Sequence, residues 1–238
     1  MRDLHTHTVF SDGENTPEEM VLAAIEKGLD TIGISDHSYT FYDEAPCMPK
    51  EKLAEYISEI SRLKEKYKDK IKVLCGIEQD YYSDMEVTSD FDYVIGSVHY
   101  LLINGEYVCV DDTADVIKKV ADKYFGGDVM KIAELYFDTV SDVVRKTHAS
   151  IIGHLDILTK FPIYDTKCDR YKNAWKKACD ILLKENIPFE INTGGITRGY
   201  KTEFYPSEEI REYISSKGGK FIYSSDSHQK STLCALFD

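Results

Sequence analysis

Thr31-Ile32-Gly33-Ile34-Ser35-Asp36-His37 sets a short β-rich run directly against a carboxylate and an imidazole. β-Branched residues favour a pleated strand, and the run stops where residues able to bind a metal begin. The same order recurs along the chain. Arg2 to His5 leads to His7, Lys72 to Ile77 to Glu78, and Tyr93 to Val98 to His99. Ile151 to His154 ends on a histidine, Phe189 to Asn192 precedes a glycine-rich turn, and Phe221 to Ser224 precedes Asp226-Ser-His228. Seven strands are thereby predicted. Helical patterns separate them, at about Lys50 to Tyr67, Thr113 to Phe125, Asp128 to Lys146, Arg170 to Lys184 and Ser207 to Lys217. The first helix starts with Thr16 as N-cap, Pro17 at its first position and Glu19 closing a capping box, and stops at Gly28. Asn104-Gly105 between two apolar pairs predicts an inserted hairpin.

Strands alternating with helices predict an α/β fold, and ligand-type side chains at the ends of six of the seven strands predict a closed parallel barrel, because such ends converge on one face. The expected fold is a distorted (β/α)7 barrel in a single domain spanning residues 1–238. His5, His7, His37, Glu78, His99, His154, Asp226 and His228 would then meet in one pocket as a multinuclear metal site. Two residues apart on a strand, His5 and His7 project from one face and can reach a single ion. His148 lies on a polar helical stretch without such a pattern and is left outside the site.

The net charge of −13 argues against a nucleic-acid partner, since phosphate backbones are bound by surplus Lys and Arg. No apolar run reaches the length of a membrane span and no secretion signal opens the chain, so a cytoplasmic protein with no membrane partner is expected. Its six cysteines form no C-x-x-C pair, which suits reduced thiols without a catalytic role. Oligomeric state is not legible at this level.

These motifs together resemble the polymerase-and-histidinol-phosphatase (PHP) superfamily. The resemblance rests on His5-Thr-His7-Thr-Val-Phe-Ser-Asp12-Gly13, Gly-Ile-Ser-Asp36-His37-Ser, Gly-Ile-Glu78 with Gly-Ser-Val-His99, Gly153-His154-Leu-Asp156 and Ser225-Asp226-Ser-His228. The segment Glu190-Ile-Asn192-Thr-Gly-Gly-Ile-Thr-Arg198, followed by Tyr205-Pro206, looks like its histidinol-phosphate phosphatases. The resemblance implies two to three divalent ions, zinc, iron or manganese. It assigns His5, His7, Glu78 and Asp226 to one ion, Glu78 with His99 and His154 to a second, and His37 and His228 to a third. Some members have a further histidine in the loop after the first strand; here that loop reads Ser11-Asp12-Gly13, leaving Asp12 or water for the third ion. Only ten residues follow His228, so the family's final helix is expected to be missing or shortened.

The implied activity is hydrolysis of L-histidinol phosphate to L-histidinol and phosphate, a step of histidine biosynthesis. Two ions about 3.5–4 Å apart lower the pKa of a shared water toward about 7 and grip phosphoryl oxygens. Hydroxide would attack phosphorus directly, with Glu78, Asp226 and His228 as the candidate catalytic residues and no serine or cysteine nucleophile. Arg198 can fork two hydrogen bonds onto phosphate, and Lys160 can add a second charge. Glu14, Glu44 and Asp80 are open candidates for the substrate's amine and imidazole. Tyr39 to Tyr42 and Tyr81-Tyr82 either wall the pocket or belong to ordinary half-buried core, the reading favoured by their residue type. The rival functions are hydrolysis of another small phosphomonoester or nucleotide, and a non-enzymatic, polymerase-associated module.

Overall fold

The computed structural model describes residues 1–237. Its strands in chain order are β1 (Arg2–Asp3), β2 (Thr31–Ile34), β3 (Lys72–Asp80), β4 (Tyr93–Ser97), β5 (Tyr100–Ile103), β6 (Glu106–Cys109), β7 (Ile151–Ile152), β8 (Phe189–Asn192) and β9 (Phe221–Ser224). β5 and β6 form the antiparallel hairpin around Asn104-Gly105. The other seven make one parallel sheet in the order β1-β2-β3-β4-β7-β8-β9. Its two edges come together: Thr6 and Ser227 form a parallel bridge, and His7 N donates to Ser227 O at 2.8 Å. The result is a nearly closed barrel.

Asp3 ties that closure. Its buried carboxylate accepts from Ser225 N at 3.1 Å, Cys234 N at 3.0 Å and the Ser225 hydroxyl, and these donors offset the cost of burying a charge. The barrel interior is narrow and filled by Leu4, Tyr93, Ile95, Ile151 and Ile222. Tyr93 crosses it and donates to Leu4 O at 2.6 Å. A Cβ on Gly33 or Gly76 would lie 2.2 Å from Tyr93 side-chain atoms, so β2 and β3 both carry glycine where this ring passes.

The helices are α1 (Pro17–Glu26), α2 (Leu53–Tyr67), α3 (Ala114–Phe125), α4 (Met130–Val140), α5 (Val143–Thr147), α6 (Asp169–Leu182), α7 (Gly194–Thr197) and α8 (Glu208–Ser216). Thr16 and Glu19 make the reciprocal capping box at the start of α1, a feature that typically contributes about 1 kcal/mol. Buried side chains of α1 and α2 pack on one side of the barrel, and those of α3, α4, α6 and α8 on the other.

Three expectations are corrected. β1 ends at Asp3, so His5 and His7 lie beyond the strand, where the barrel closes by single bridges. The helix expected from Asp128 to Lys146 is two helices. At the break, Ser141 and Asp142 form a turn (Asp142 φ −103°, ψ −1°), and the Asp142 carboxylate takes Arg145 Nε and Nη2 and the Tyr81 hydroxyl. The glycine-rich turn after β8 contains a short helix, α7.

Candidate metal centre

The C-terminal ends of the strands open on a cavity of about 590 Å³. Glu78, at the seventh position of β3, stands at its floor with both oxygens surrounded by imidazoles. Oε2 is 2.8 Å from His37 Nδ1, 3.3 Å from His5 Nε2 and 3.7 Å from His7 Nε2. Oε1 is 3.0 Å from His154 Nε2 and 3.5 Å from His99 Nε2, and accepts from Ser97 Oγ at 2.6 Å. Asp226 Oδ1 lies 3.2 Å from His7 Nε2 and 3.7 Å from His5 Nε2. Asp226 adopts a left-handed backbone conformation (φ 52°), which aspartate tolerates better than most residues and which turns the chain sharply between β9 and His228. Asp12 Oδ1 is 3.3 Å from His228 Nε2, 3.7 Å from His37 Nε2 and 4.0 Å from His7 Nδ1.

All eight expected ligands therefore meet, and Asp12 joins them. The donor atoms of all but His154 fall into three overlapping groups: His5, His7 and Asp226; His37, Glu78 and His99; and His7, Asp12, His37 and His228; His154 stands apart, against Glu78 Oε1. His148 sits at the end of α5, exposed and outside the cluster.

The donor set fits cations. His5 Nε2, both ring nitrogens of His7 and Glu78 Oε2 are buried and have no hydrogen-bond partner, although burial without one normally costs about 1–3 kcal/mol per group. Burial, reinforced by the neighbouring His228 and His37 rings, pushes His7 down to about 3, which leaves one of its ring nitrogens with a free lone pair. Against burial, His5, His37 and His99 hold Glu78 well below the usual carboxylate range. Seven carboxylates line the cavity (Asp12, Asp43, Glu78, Asp80, Asp111, Asp112 and Asp226) against the fixed cations Lys160 and Arg198. A phosphate dianion would be repelled there unless further positive charge were bound.

Buried partners orient the imidazoles. Glu190 Oε1 is 2.5 Å from His5 Nδ1, and Glu190 Oε2 accepts from His154 N at 2.8 Å and Asn192 Nδ2 at 3.1 Å. Asp36 gathers the loop after β1, accepting from Thr8 N and Oγ1, both at 2.7 Å, and from Ser11 N at 3.2 Å. Neither residue was assigned a role from sequence. Asp36 has only its place beside His37 as a signal, and Glu190 only its place at the head of the segment that resembles the histidinol-phosphate phosphatases.

Arg198 reaches the cavity from the C-terminal end of α7. Its Nη2 donates to Asp226 Oδ2 at 2.6 Å, and Nη1 lies 3.1 Å from His228 Nδ1. Lys160 lines the same cavity, donating to Asp111 O at 2.6 Å with its ammonium over the Tyr200 ring.

The expected acceptors for the substrate's amine and imidazole are corrected. Glu14 binds Gln229 and Glu44 binds Tyr39, and neither lines the cavity. Asp80 does line it, but its oxygens serve His99 N, Tyr82 N and the Tyr42 hydroxyl. Asp43, Asp111 and Asp112 occupy the wall instead. Spacing could not find the last two, because the hairpin loops out from His99 and returns at Val110, whose N donates to His99 O at 2.8 Å. The wall tyrosines are Tyr100, Tyr200 and Tyr205; Tyr39, Tyr42, Tyr81 and Tyr82 lie outside it, with Tyr42 stacked on Tyr107.

A model of the PHP domain matches residues 3–194. The chain belongs to the PHP domain family. Among PHP proteins, the histidinol-phosphatase of Lactococcus lactis is 30% identical over 240 residues, covering 95% of this chain and 83% of that protein. The histidinol-phosphatase of Bacillus subtilis is 26% identical over 96% of this chain and 93% of its own length. A crystal structure of the Lactococcus lactis histidinol phosphate phosphatase, in complex with zinc, L-histidinol and phosphate, superposes with a TM-score of 0.73 at 25% identity, covering 96% of this chain and 86% of that one. A Listeria monocytogenes structure shares the PHP fold over the whole chain and 98% of its own, with a TM-score of 0.83 at 23% identity. All six cysteines of this PHP protein are free, and no helix among the described residues is long and apolar enough to cross a membrane.

Proposed function

We propose that this chain is a metal-dependent phosphatase that hydrolyses L-histidinol phosphate to L-histidinol and phosphate, with residues 1–238 forming one metallophosphatase domain. The observation that carries the reading is the set of buried, unpartnered ligand atoms on His5, His7 and Glu78 at the floor of an acidic cavity that also holds Arg198 and Lys160. Support for the substrate comes from relatives bearing that activity along nearly the whole chain.

In this reading His5, His7, His37, Glu78, His99, His154, Asp226 and His228 hold two to three divalent ions, with Asp12 added to the group around His37 and His228. Bound ions of this kind neutralise phosphoryl oxygens and supply hydroxide near neutral pH. Imidazole and carboxylate suit zinc, iron and manganese alike.

The chain's own residues do the rest. Glu78 and Asp226 stay ionised and keep the ligand sphere together, and Glu190 fixes which nitrogen His5 turns into the cavity. Arg198 clamps the phosphate with the guanidinium hydrogens that Asp226 leaves free, and Lys160 adds charge from the wall where it lies over Tyr200. The exposed Asp112, with Asp43 and Asp111, accepts from the cationic end of the substrate. His228 serves as a ligand beside Arg198 and Asp12, and the departing alkoxide takes its proton from water near His37 and His228. No thiol takes part; burial pushes Cys109, the thiol nearest the wall acids, well above its ordinary value.

Chelation tests the proposal. Protein stripped of metal should release no phosphate from L-histidinol phosphate, and readdition of zinc or manganese should restore the activity. Undiminished turnover by protein with less than about one tenth of an equivalent of metal would refute it.

A further inference from the structure

Asn192, the last residue of β8, is wholly buried, and its side-chain amide bonds to three different parts of the site. Nδ2 donates to Glu190 Oε2 at 3.1 Å and to Asp226 Oδ2 at 3.2 Å, and Oδ1 accepts from Gly194 N at 2.8 Å. The partners fix which way the amide points. Carboxylate oxygens accept and so face its NH2, while a peptide N–H donates and so faces its oxygen.

Each partner belongs to a different piece of the machinery. Glu190 is the carboxylate against His5 Nδ1, and Asp226 turns its other oxygen to His7 and His5. Gly194 opens α7, and its carbonyl accepts from Arg198 N at 3.0 Å. The Arg198 guanidinium lies against it: a Cβ on Gly194 would come 2.7 Å from Arg198 Nη2, 3.0 Å from Asn192 Oδ1 and 3.1 Å from Asp226 Cβ. A side chain at 194 would push the guanidinium off Asp226. The main chain of Asn192 pairs with Tyr205 in both directions, at 2.7 and 3.1 Å, which seats the segment returning from Arg198 on the barrel. Glu190 and Asp226, both buried, repel each other across a region of low dielectric, and a single NH2 with two hydrogens satisfies both without adding charge.

We propose that Asn192 is the positioning residue that couples the metal ligands to the phosphate clamp. Its amide nitrogen holds Glu190 and Asp226 together, and its amide oxygen holds the start of α7 so that Arg198 reaches the cavity. The inference rests on the metallophosphatase reading of the site.

Zinc titrations in competition with a chelator, and calorimetry with inorganic phosphate on the zinc-saturated protein, test the two halves, with circular dichroism to check the fold. Asn192→Asp keeps the shape and the oxygen facing Gly194 but loses the donor, and should weaken zinc binding at least about tenfold. Adding Glu190→Gln returns an amide to the same gap. Glu190→Gln/Asn192→Asp should therefore bind zinc at least about threefold more tightly than Asn192→Asp alone, whereas a residue that only fills space would let the two losses add. Asn192→Ala should weaken phosphate binding about tenfold, and Asn192→Ala/Arg198→Ala should match Arg198→Ala within about twofold, because the loss is transmitted through the guanidinium. Should Asn192→Asp fail to fold, the alanine pair carries the test. Zinc affinity of Asn192→Asp within about twofold of the parent, a double variant that binds zinc more weakly than Asn192→Asp, or phosphate losses that multiply in Asn192→Ala/Arg198→Ala would overturn the coupling alone. A parent that takes up no zinc would overturn the metallophosphatase reading, and this inference with it.

Discussion

His5 Nδ1 stands 2.5 Å from Glu190 Oε1, both side chains fully buried, so one nitrogen of the first-motif histidine is held by a carboxylate and the other, Nε2, faces Glu78 and Asp226. Such a partner fixes ring orientation and raises ligand basicity, and its loss typically costs 10- to 100-fold in metal affinity or activity. Glu190→Gln should retain the hydrogen bond but not the charge, and lower metal affinity by about tenfold. Glu190→Ala should lower it further. Competition titrations against a chelator check both; unchanged affinity in both variants would remove Glu190 from the site.

Glu78 has imidazoles at both oxygens, so its removal takes a ligand from the group with His37 and His99 and the carboxylate beside His5, His7 and His154. Glu78→Ala should leave less than about one per cent of activity and less than half of the metal, a larger loss than His228→Ala at the rim. Elemental analysis paired with phosphate release reads both quantities. Activity above a tenth of the parent with unchanged metal content would contradict the bridging role.

Arg198 binds the oxygen of Asp226 that faces away from His5 and His7, and Asn192 Nδ2 holds that same oxygen at 3.2 Å. Arg198→Ala should therefore keep the metal while lowering kcat/KM by about two to three orders of magnitude, the scale of a lost charge-assisted fork of about 3–4 kcal/mol. Arg198→Lys should recover part, since a point charge does not reproduce the fork. Both variants within about twofold of the parent would make Arg198 an ordinary surface cation.

Metal-free protein should respond to pH in a definite direction. Burial opposes the charge on His99, but Glu78 and Asp80 hold its folded pKa up to about 10, above the ordinary 6.5. Its contribution to stability is complete below pH about 6.5 and is lost as pH rises through about 10. Metal uptake must displace this proton, so binding near pH 7.5 should release protons and tighten as pH rises. Thermal unfolding of metal-free His99→Asn and parent across pH 6.5 to 10 checks the first, and calorimetry in buffers of different ionisation enthalpy the second. Equal slopes for the two proteins, or uptake without proton release, would contradict it.

The barrel was legible because each unit writes its end locally: β-rich residues, then a ligand. The ranges of β8 and β9 match expectation residue for residue. β1 is shorter than expected because the chain beyond it meets the opposite edge by single bridges at the barrel closure, which no local pattern encodes; β7, inside the sheet between β4 and β8, keeps only Ile151 and Ile152. Val143 and Val144 carry the apolar pattern across the break at Asp142, hiding the end of α4. At the site, histidine motifs announced themselves by spacing. Asp43, Asp111 and Asp112 did not, since a hairpin and a long loop bring them to the wall and an isolated aspartate looks like any solvated charge.

Steady-state phosphate release by the metal-loaded protein from L-histidinol phosphate, set against p-nitrophenyl phosphate and a nucleoside monophosphate at matched pH, tests the central claim most directly. An acidic wall that receives a cationic alkyl phosphate should give L-histidinol phosphate a kcat/KM at least about 100-fold above either alternative, a difference of about 2.7 kcal/mol in transition-state stabilisation. Comparable kcat/KM for all three, or a preference for the nucleotide, would contradict the account.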